Sequence, residues 1–207
     1  MTSAQRFWNR KAKGYDDRLP AKGPNYAARL TRVAQVIPPD GRLLDVGCAT
    51  GEITLDLAEH CGEVLGIDTA GDMIDLANTK AVQRGIKNAR FKAIGPDDET
   101  LEPGSFDAVA CYSVFHLIDD YPAMVRRFAE LLKPGGHVLN ETPCLGNWGP
   151  WWRPVLWGAR AVGAAPNVRF IKAADLEQSF RDAGLEIVES TVHNPKSGQH
   201  NILARKP

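Results

Sequence analysis

The stretch Leu43-Leu44-Asp45-Val46-Gly47-Cys48-Ala49-Thr50-Gly51 decides the fold of this 207-residue chain. Its apolar start predicts a short buried strand over residues 42–46, and the pattern of residues 53–60 predicts a helix directly after the turn. Small residues stand at every second position of that turn, so a ligand can approach the backbone closely. The free N–H groups at the start of the helix face the same place. The stretch therefore predicts the strand, binding turn and helix of an α/β fold.

Acidic residues around this turn indicate which ligand it binds. A dinucleotide site of the Gly-x-Gly-x-x-Gly type has its third glycine where this chain has Glu52, and a carboxylate there would repel a pyrophosphate. Asp45 lies at the end of the first predicted strand and suits a ligand with an ammonium group. Asp68 ends the second predicted strand, where a carboxylate commonly accepts hydrogen bonds from ribose hydroxyls. S-adenosyl-L-methionine has both features.

Four blocks of sequence resemble the class I S-adenosylmethionine-dependent methyltransferases, in the group of the ubiquinone/menaquinone C-methyltransferases (methyltransferase type 11). The blocks are 7–16, similar to the family opening W-x-x-x-A-x-x-Y-D, then 43–51 with 66–68 and Met73, then 105–117, and finally 131–136. The resemblance spans about residues 7 to 140. It implies an enzyme that transfers a methyl group from S-adenosyl-L-methionine.

The resemblance also implies which residues bind this cofactor. They are Tyr15, Asp45, Gly47, Cys48, Ala49, Gly51, Asp68, Thr69, Met73, Gly95, Pro96, Asp97, Cys111 and Tyr112. In such enzymes the tyrosine closes over the cofactor, and the methionine packs on the adenine.

Two positions depart from the family pattern. The middle glycine of the loop is Ala49 here, which adds one methyl group. The acid that usually meets the adenine amine falls on Gly95, so Asp97, Asp98 or the backbone would have to make that contact.

Alternating strands and helices predict a Rossmann-like, doubly wound α/β fold with parallel pairing and right-handed crossovers. The predicted strands are 42–46, 63–68, 89–94, 106–111, 137–142, 185–193 and 200–205, and the predicted helices are 26–37, 53–60, 72–84, 122–132 and 175–183. The last two strands predict a hairpin around residues 194–198. The resemblance implies a seven-stranded, mostly parallel sheet whose last strand is antiparallel.

Length and composition are typical of one α/β domain over residues 1–207. The 25 basic and 25 acidic residues cancel, which argues against nucleic acid or an anionic membrane as a partner recruited by bulk charge. The four cysteines are widely spaced, which predicts reduced thiols, no metal site and a cytoplasmic setting. The start of the chain lacks the apolar core of a signal peptide, and no stretch is long and uncharged enough for membrane insertion.

The segment 143–170 follows the fifth predicted strand and is rich in tryptophan. In this class of fold such a connection emerges over the ligand crevice. We interpret it as a hydrophobic lid against a small apolar or aromatic acceptor, with Trp8, Trp148, Trp151 and Trp152 as candidate substrate contacts. Two alternatives remain: the tryptophans pack onto the sheet edge, or they anchor the protein at a membrane surface.

His116, at the exit of the fourth predicted strand, is the candidate general base, because an imidazole titrates near neutrality. The alternative is that it only holds its loop. A sulfonium methyl is already electrophilic, so alignment of the acceptor for in-line displacement is the main requirement. A base is needed only for a hydroxyl or an acidic carbon.

Two rival functions come from other classes. A non-catalytic binding protein of the same fold is favoured by Ala49 and by the missing acid at Gly95. A nucleotide-linked oxidoreductase is disfavoured by Glu52 and by the spacing of the glycines.

Overall fold

The computed structural model describes residues 1–18, 22–148, 152–161, 165–194 and 198–207. Its centre is a seven-stranded sheet with the order β3-β2-β1-β4-β5-β7-β6. The strands are β1 (Arg42–Val46), β2 (Glu63–Ile67), β3 (Ala89–Lys92), β4 (Phe106–Tyr112), β5 (Leu132–Pro143), β6 (Glu186–Asn194) and β7 (Gln199–Arg205). The predicted number of strands is confirmed.

Strand direction also follows the prediction. The pairs β1–β2, β2–β3, β1–β4 and β4–β5 are parallel, whereas β7 is antiparallel to both β5 and β6. Because the strand order reverses between β1 and β4, a crevice opens beyond their carboxyl ends, where ligands of doubly wound folds bind.

The helices of the described residues are α1 (Ser3–Ala12), α2 (Pro24–Val36), α3 (Glu52–Leu57), α4 (Gly71–Gln83), α5 (Tyr121–Leu131), α6 (Trp152–Ala161) and α7 (Ala173–Asp182). The five predicted helices lie within a few residues of their expected bounds. Helices α1 and α6 were not predicted from the sequence. A capping box begins α1, in which Thr2 accepts from the Gln5 N–H and the Gln5 side chain accepts from the Thr2 N–H.

Two apolar layers hold the sheet. On one face, Leu43 and Ala108 pack against Val33 of α2. On the other face, Leu44 and Val109 belong to the cluster that contains α5 and α7. In α5 the buried residues Met124, Val125, Phe128 and Leu131 recur at helical spacing. Burying one such large side chain contributes about 1.5–3 kcal/mol to folding stability. These layers therefore hold the helices against the sheet.

Two parts of the chain differ in detail from the expected elements. The predicted turn 133–136 lies inside β5, which begins at Leu132 and pairs irregularly with β4 between Phe106 and Ala108. The segment 143–170 contains a short 3-10 helix, Leu145–Asn147, and then α6. In the part of the chain that the structure describes, no helix has both the length and the apolar character to cross a bilayer.

Candidate active site

The turn after β1 has an unusual backbone. Gly47, Ala49 and Gly51 have φ angles of 75°, 47° and 74°, in the left-handed region that favours glycine. A Cβ on Gly47 would lie 2.3 Å from Cγ2 of Val114, and one on Gly51 would lie 2.8 Å from the Phe91 ring. Protein neighbours therefore require these two glycines, in addition to any close approach by a ligand.

The departure at Ala49 is accommodated by the protein itself. Ala49 packs against a small cluster that contains Ala12, Met73, Trp8 and Tyr15. Its N–H donates to Oδ2 of Asp68 at 3.2 Å. The extra methyl group thus contacts α1 and α4, and the strained turn is stabilised by tertiary contacts.

Asp45 is a buried carboxylate near the end of β1, with 2% of its surface exposed. The Thr54 hydroxyl donates to its Oδ2 at 2.5 Å. Burial raises the pKa of Asp45 to about 6, although the Thr54 hydrogen bond acts in the opposite direction. Within the described residues no cationic side chain lies at ion-pair distance from it. Buried charges in proteins are normally paired, so an uncompensated carboxylate here suits a cationic ligand.

Asp68 directly follows β2 and is held by the backbone. Its two carboxylate oxygens accept hydrogen bonds from the N–H groups of Ala49, at 3.2 Å, and Ala70, at 2.8 Å. Burial raises the pKa of this carboxyl, and these backbone donors oppose the shift. Each oxygen retains acceptor capacity, so Asp68 can accept from ligand hydroxyls while it fixes the turn.

Two cavities meet at the carboxyl ends of β1 and β4. The first, here the Asp68 cavity, has a volume of about 170 Å³ and is lined by Asp68, Thr69, Met73, Ile94, Pro96 and Trp8 among others. The second, the Asp45 cavity, has a volume of about 580 Å³ and is lined by Asp45, Cys48, Arg29, Tyr26, Lys22 and Gln199 among others. Their shared wall consists of Tyr15, Gly47, Ala49, Tyr112 and Ser113. One crevice thus joins an apolar half to a charged half.

Arg29 of α2 brings a cation into the Asp45 cavity. Its Nε and Nη2 donate to the two oxygens of Glu141 in β5 at 2.7 and 2.6 Å. Its guanidinium also lies over the Tyr112 ring, 5.0 Å from the centroid. This bidentate geometry and the ring contact hold Arg29 in one position beside the crevice.

The N-terminal segment covers the crevice. Trp8 and Tyr15 line it, and their rings meet edge to face at 6.4 Å. Asp16 holds the segment in place, because its carboxylate accepts a hydrogen bond from the Thr50 hydroxyl at 2.5 Å and forms an ion pair with Lys80 at 2.6 Å. Tyr15 thus lines both cavities, and its closure over a bound cofactor stays a prediction.

The loop after β3 forms the far end of the Asp68 cavity. Pro96 lines the cavity, and its carbonyl accepts from Nε of Arg127 at 3.0 Å. Asp98 is committed to the N–H and hydroxyl of Thr100. Oδ1 of Asp97 lies 2.4 Å from the place where Gly95 would carry a Cβ. Unlike Asp98, the exposed Asp97 accepts no hydrogen bond from the described residues, but neither Gly95 nor Asp97 lines either cavity.

Some predicted residues lie outside both linings. Gly51 precedes α3 and packs on Phe91. Cys111 is fully buried in the cluster on the α5 face of the sheet. His116 belongs to the short 3-10 helix Phe115–Leu117, and burial lowers its pKa to about 4. At neutral pH its imidazole is therefore uncharged and weakly basic, which favours the loop-holding alternative.

The tryptophans of the segment 143–170 lie elsewhere. The Trp148 ring is 5.3 Å from that of Trp152, and its Nε1 lies 2.6 Å from the place of a Cβ on Gly198. Trp157 lines a separate groove with Phe170. Trp151 is outside the described residues. Trp148 and Trp152 are thus in mutual contact and do not line the described crevice.

Sequence reasoning missed several lining residues. Arg29 and Tyr26 were not singled out, because their helix was predicted only from its apolar face. The available signal was the charge of Arg29 directly before the apolar Leu30. Ser113, with a φ of 60°, has no sequence signal, because its conformation follows from the contacts of the loop.

Comparison with known proteins agrees with this geometry. A family model for a methyltransferase domain matches residues 18–190. The ubiquinone biosynthesis O-methyltransferase of Xanthomonas campestris pv. campestris (strain B100) is 35% identical over 221 residues, covering 98% of this chain and 85% of that protein. The protein of the same name from Xanthomonas axonopodis pv. citri (strain 306) is 30% identical with the same coverage.

Two solved structures share the fold. Geranyl diphosphate C-methyltransferase from Streptomyces coelicolor A3(2), solved with Mg²⁺, geranyl diphosphate and S-adenosyl-L-homocysteine, has a TM-score of 0.77 at 15% identity and covers 100% of this chain and 98% of its own. The [4+2]-cyclase SpnF has a TM-score of 0.68 at 20% identity and covers 88% of this chain and 82% of its own. At these identities the likeness concerns the fold alone.

Proposed function

Because the chain belongs to the methyltransferase domain family, we propose that it uses S-adenosyl-L-methionine to methylate a small-molecule acceptor. The observation that carries this proposal is the pair of carboxylates at the ends of adjacent strands, the buried Asp45 and the partly buried Asp68, in one crevice. The first lacks a cationic partner among the described residues, and the second retains acceptor capacity. A ligand with an ammonium group and a ribose would satisfy both.

The residues of the crevice fit the whole of this cofactor. Asp68 would accept from the ribose hydroxyls, and the apolar side chains of Met73, Ile94 and Pro96 would enclose the base. Asp45 would pair with the ammonium group, while the N–H groups of Arg29 not used by Glu141 would donate to the carboxylate. Bound there, the cofactor supplies an electrophilic methyl group.

The chain's own contribution is positioning and exclusion of water. Tyr15, Tyr112 and Trp8 form walls around the junction of the two cavities. Holding two reactants in a productive arrangement can supply about 7–11 kcal/mol of the barrier. A closed site also suits a reaction in which charge disperses.

We propose a hydroxylated acceptor, because the relatives at 30–35% identity are named O-methyltransferases. An acceptor hydroxyl must lose its proton. The carboxylates of Asp16 and Glu52 lie at the Asp45 cavity, but they are paired with Lys80 and Lys22. The lid role of the segment 143–170 in the 1–207 domain stays a hypothesis; Trp148 and Trp152 contact each other and do not line the described crevice, and Trp151 lies outside the described residues. The unpaired cysteines support the expectation of a reducing, cytoplasmic setting.

Calorimetry with S-adenosyl-L-methionine and S-adenosyl-L-homocysteine tests the cofactor. We expect one site, and binding weakened about 10- to 100-fold in Asp68→Asn, since a charge-assisted hydrogen bond is lost. The exposed Asp182→Asn is the control. Absence of binding in the wild-type chain would support the non-catalytic alternative. Binding of a nicotinamide dinucleotide instead would support an oxidoreductase.

Incubation with methyl-labelled cofactor and extracts fractionated by polarity tests the acceptor. We expect the label in a small, apolar or aromatic product that carries a new methoxy group. Cofactor binding without any labelled product would favour another reaction on this fold, as the cyclase among the structural neighbours illustrates.

His116 remains a sequence-based hypothesis for the general base. If it has that role, His116→Ala should lower turnover by about 10²–10⁴-fold and leave cofactor affinity intact. If it only holds its loop, as its burial favours, turnover should change little while the midpoint of urea unfolding falls. Steady-state kinetics and urea unfolding separate the two roles.

A further inference from the structure

A row of polar side chains crosses three strands beside the crevice. Tyr112 of β4 pairs with Glu141 of β5, and Glu141 pairs with Asn201 of β7. Residues in register on neighbouring strands point to the same face, so the three side chains lie side by side under α2. Glu141 and Asn201 are 6% and 5% exposed. Buried polar groups in such a row need hydrogen-bond partners.

In this row, both carboxylate oxygens of Glu141 have hydrogen-bond partners. Arg29 donates two hydrogen bonds to Glu141. Oη of Tyr112 and Oδ1 of Asn201 are both buried, and neither has a hydrogen-bond partner among the described residues. One is a donor and the other is an acceptor. A buried polar group without a hydrogen bond is destabilising, so a shared partner is favoured.

A small cavity lies between these groups. It has a volume of about 20 Å³ and is lined by Tyr112, Asn201, Glu141, Arg29 and Arg32 among others. About 10–15 Å³ is enough for one water molecule, which typically makes about three hydrogen bonds to buried polar groups. Arg32 is directed to Glu189, so it does not supply the missing partner.

We propose that this cavity binds one ordered water, which accepts a hydrogen bond from Oη of Tyr112 and donates one to Oδ1 of Asn201. Its second hydrogen can reach the Glu141 carboxylate, the third polar group on the cavity. Asn201 is then a positioning residue: it holds Tyr112 through the water, although it lines neither half of the crevice.

Tyr112 makes this site relevant to function. Its ring lines both the Asp68 cavity and the Asp45 cavity and carries the guanidinium of Arg29 on one face. A hydrogen bond at Oη would fix the far end of the side chain. A fixed Oη therefore keeps both the ring and Arg29 in place. This consequence rests on the proposed function, whereas the water site does not.

A crystal structure of the wild-type chain, at a resolution that shows ordered water, tests the site directly. We expect density for one water within hydrogen-bond distance of Oη of Tyr112 and Oδ1 of Asn201. A map that shows other buried waters but none here overturns the proposal, whatever the chain binds.

Variants test the positioning role. Asn201→Leu keeps the volume and removes the acceptor, and we expect S-adenosyl-L-homocysteine to bind about three- to tenfold more weakly. Tyr112→Phe should have a similar effect. The double variant should weaken binding little more than either single variant, because both substitutions remove the same bridge. Asn201→Ser, which retains an oxygen, should recover part of the affinity.

Thr142→Val is the matched control. Thr142 is a fully buried polar residue of β5 next to Glu141, but its hydroxyl donates to Oδ1 of Asn140 and it lines neither the small cavity nor the crevice. We expect lower stability and unchanged cofactor affinity. Equal losses of affinity in Thr142→Val and Asn201→Leu, or full additivity in the Tyr112–Asn201 pair, would overturn the positioning role. Failure of the wild-type chain to bind the cofactor would count against the proposed function, while the crystal map would still decide the water site.

Discussion

Asp45 shows how one buried acid can link ligand binding to pH. Burial raises its pKa to about 6 in the folded chain, whereas an aspartate in an unfolded chain titrates near 3.9. Between about pH 4 and 6 the folded chain therefore binds more protons than the unfolded chain. The contribution of this group to stability falls as pH rises through that window and is constant above it.

A cationic ligand reverses the preference, because it requires the ionised form. We expect affinity for S-adenosyl-L-homocysteine to rise as the pH rises through about 6 and to level off about one pH unit higher, where the carboxyl is almost fully ionised; calorimetry measures this. Asp45→Asn should weaken binding about 10- to 100-fold and abolish this rise. The exposed Asp75→Asn in α4 is the control. A flat profile in the wild-type chain would show that Asp45 does not contact the ammonium group.

Gly51 illustrates a backbone requirement that can be measured against a matched position. Its φ is 74° and a Cβ would lie 2.8 Å from Phe91, whereas Gly104 has a φ of 65° and open space around it. Gly104→Ala should cost about 1–2 kcal/mol, from left-handed strain alone. Gly51→Ala should cost about 1–3 kcal/mol more, from the steric overlap. Urea unfolding of both variants checks this, and equal losses would contradict it.

At the scale of elements, α1 contributes a wall of the crevice, and its helical form was not predicted although Trp8 was named as a site residue. Trp8 lines the Asp68 cavity, and Asn9 accepts from the N–H of Asp72 at the start of α4. Ala12 of the same helix packs against Met73 of α4, so α1 forms one wall of the crevice.

Trp8→Ala and Trp157→Ala form a pair of equal substitutions in different elements. We expect Trp8→Ala to weaken cofactor binding at least about threefold, because a wall of the cavity is lost. Trp157, 73% exposed on α6, should leave cofactor binding unchanged and raise the KM for the acceptor. Calorimetry and steady-state kinetics measure the two effects. If Trp8→Ala raised the KM for the acceptor and Trp157→Ala left that KM unchanged, the acceptor would lie beside α1 and not beside α6.

At the scale of the whole molecule, the thiols report on the integrity of the core. Cys48, Cys61, Cys111 and Cys144 are all unpaired and buried. Burial raises the pKa of Cys61 to about 11 and that of Cys144 to about 12. The reactive thiolate is therefore scarce and shielded in the folded chain.

We expect a thiol reagent at pH 8 to modify the native chain slowly and all four thiols rapidly in urea. Saturating S-adenosyl-L-homocysteine should slow the native reaction further, because a bound ligand stabilises the folded state. The time course of labelling with a chromogenic disulfide measures both rates. Rapid labelling of any thiol in the native chain would contradict the burial found here.

Much of the fold could be predicted from local sequence patterns. The strands over 42–46 and 106–111 and the helix over 72–84 were predicted to within about one residue, since each depends on a short apolar pattern and on its own caps and turns. The family resemblance, borne by the turn 43–51 and Asp68, is confirmed by the family match and by the relatives. The predicted length of β5 was less accurate, because its start is set by pairing with β4.

The order of strands and helices, the binding turn and the two acids beside it follow from neighbouring residues and could be predicted from them. Which distant groups complete the crevice depends on the packing of the whole chain. Arg29 meets Glu141 across 112 positions, and Tyr112 shares a small polar cavity with Asn201. It also moved His116 and Trp148 away from the crevice. Such contacts depend on how helices pack on the sheet, and no local pattern encodes that packing.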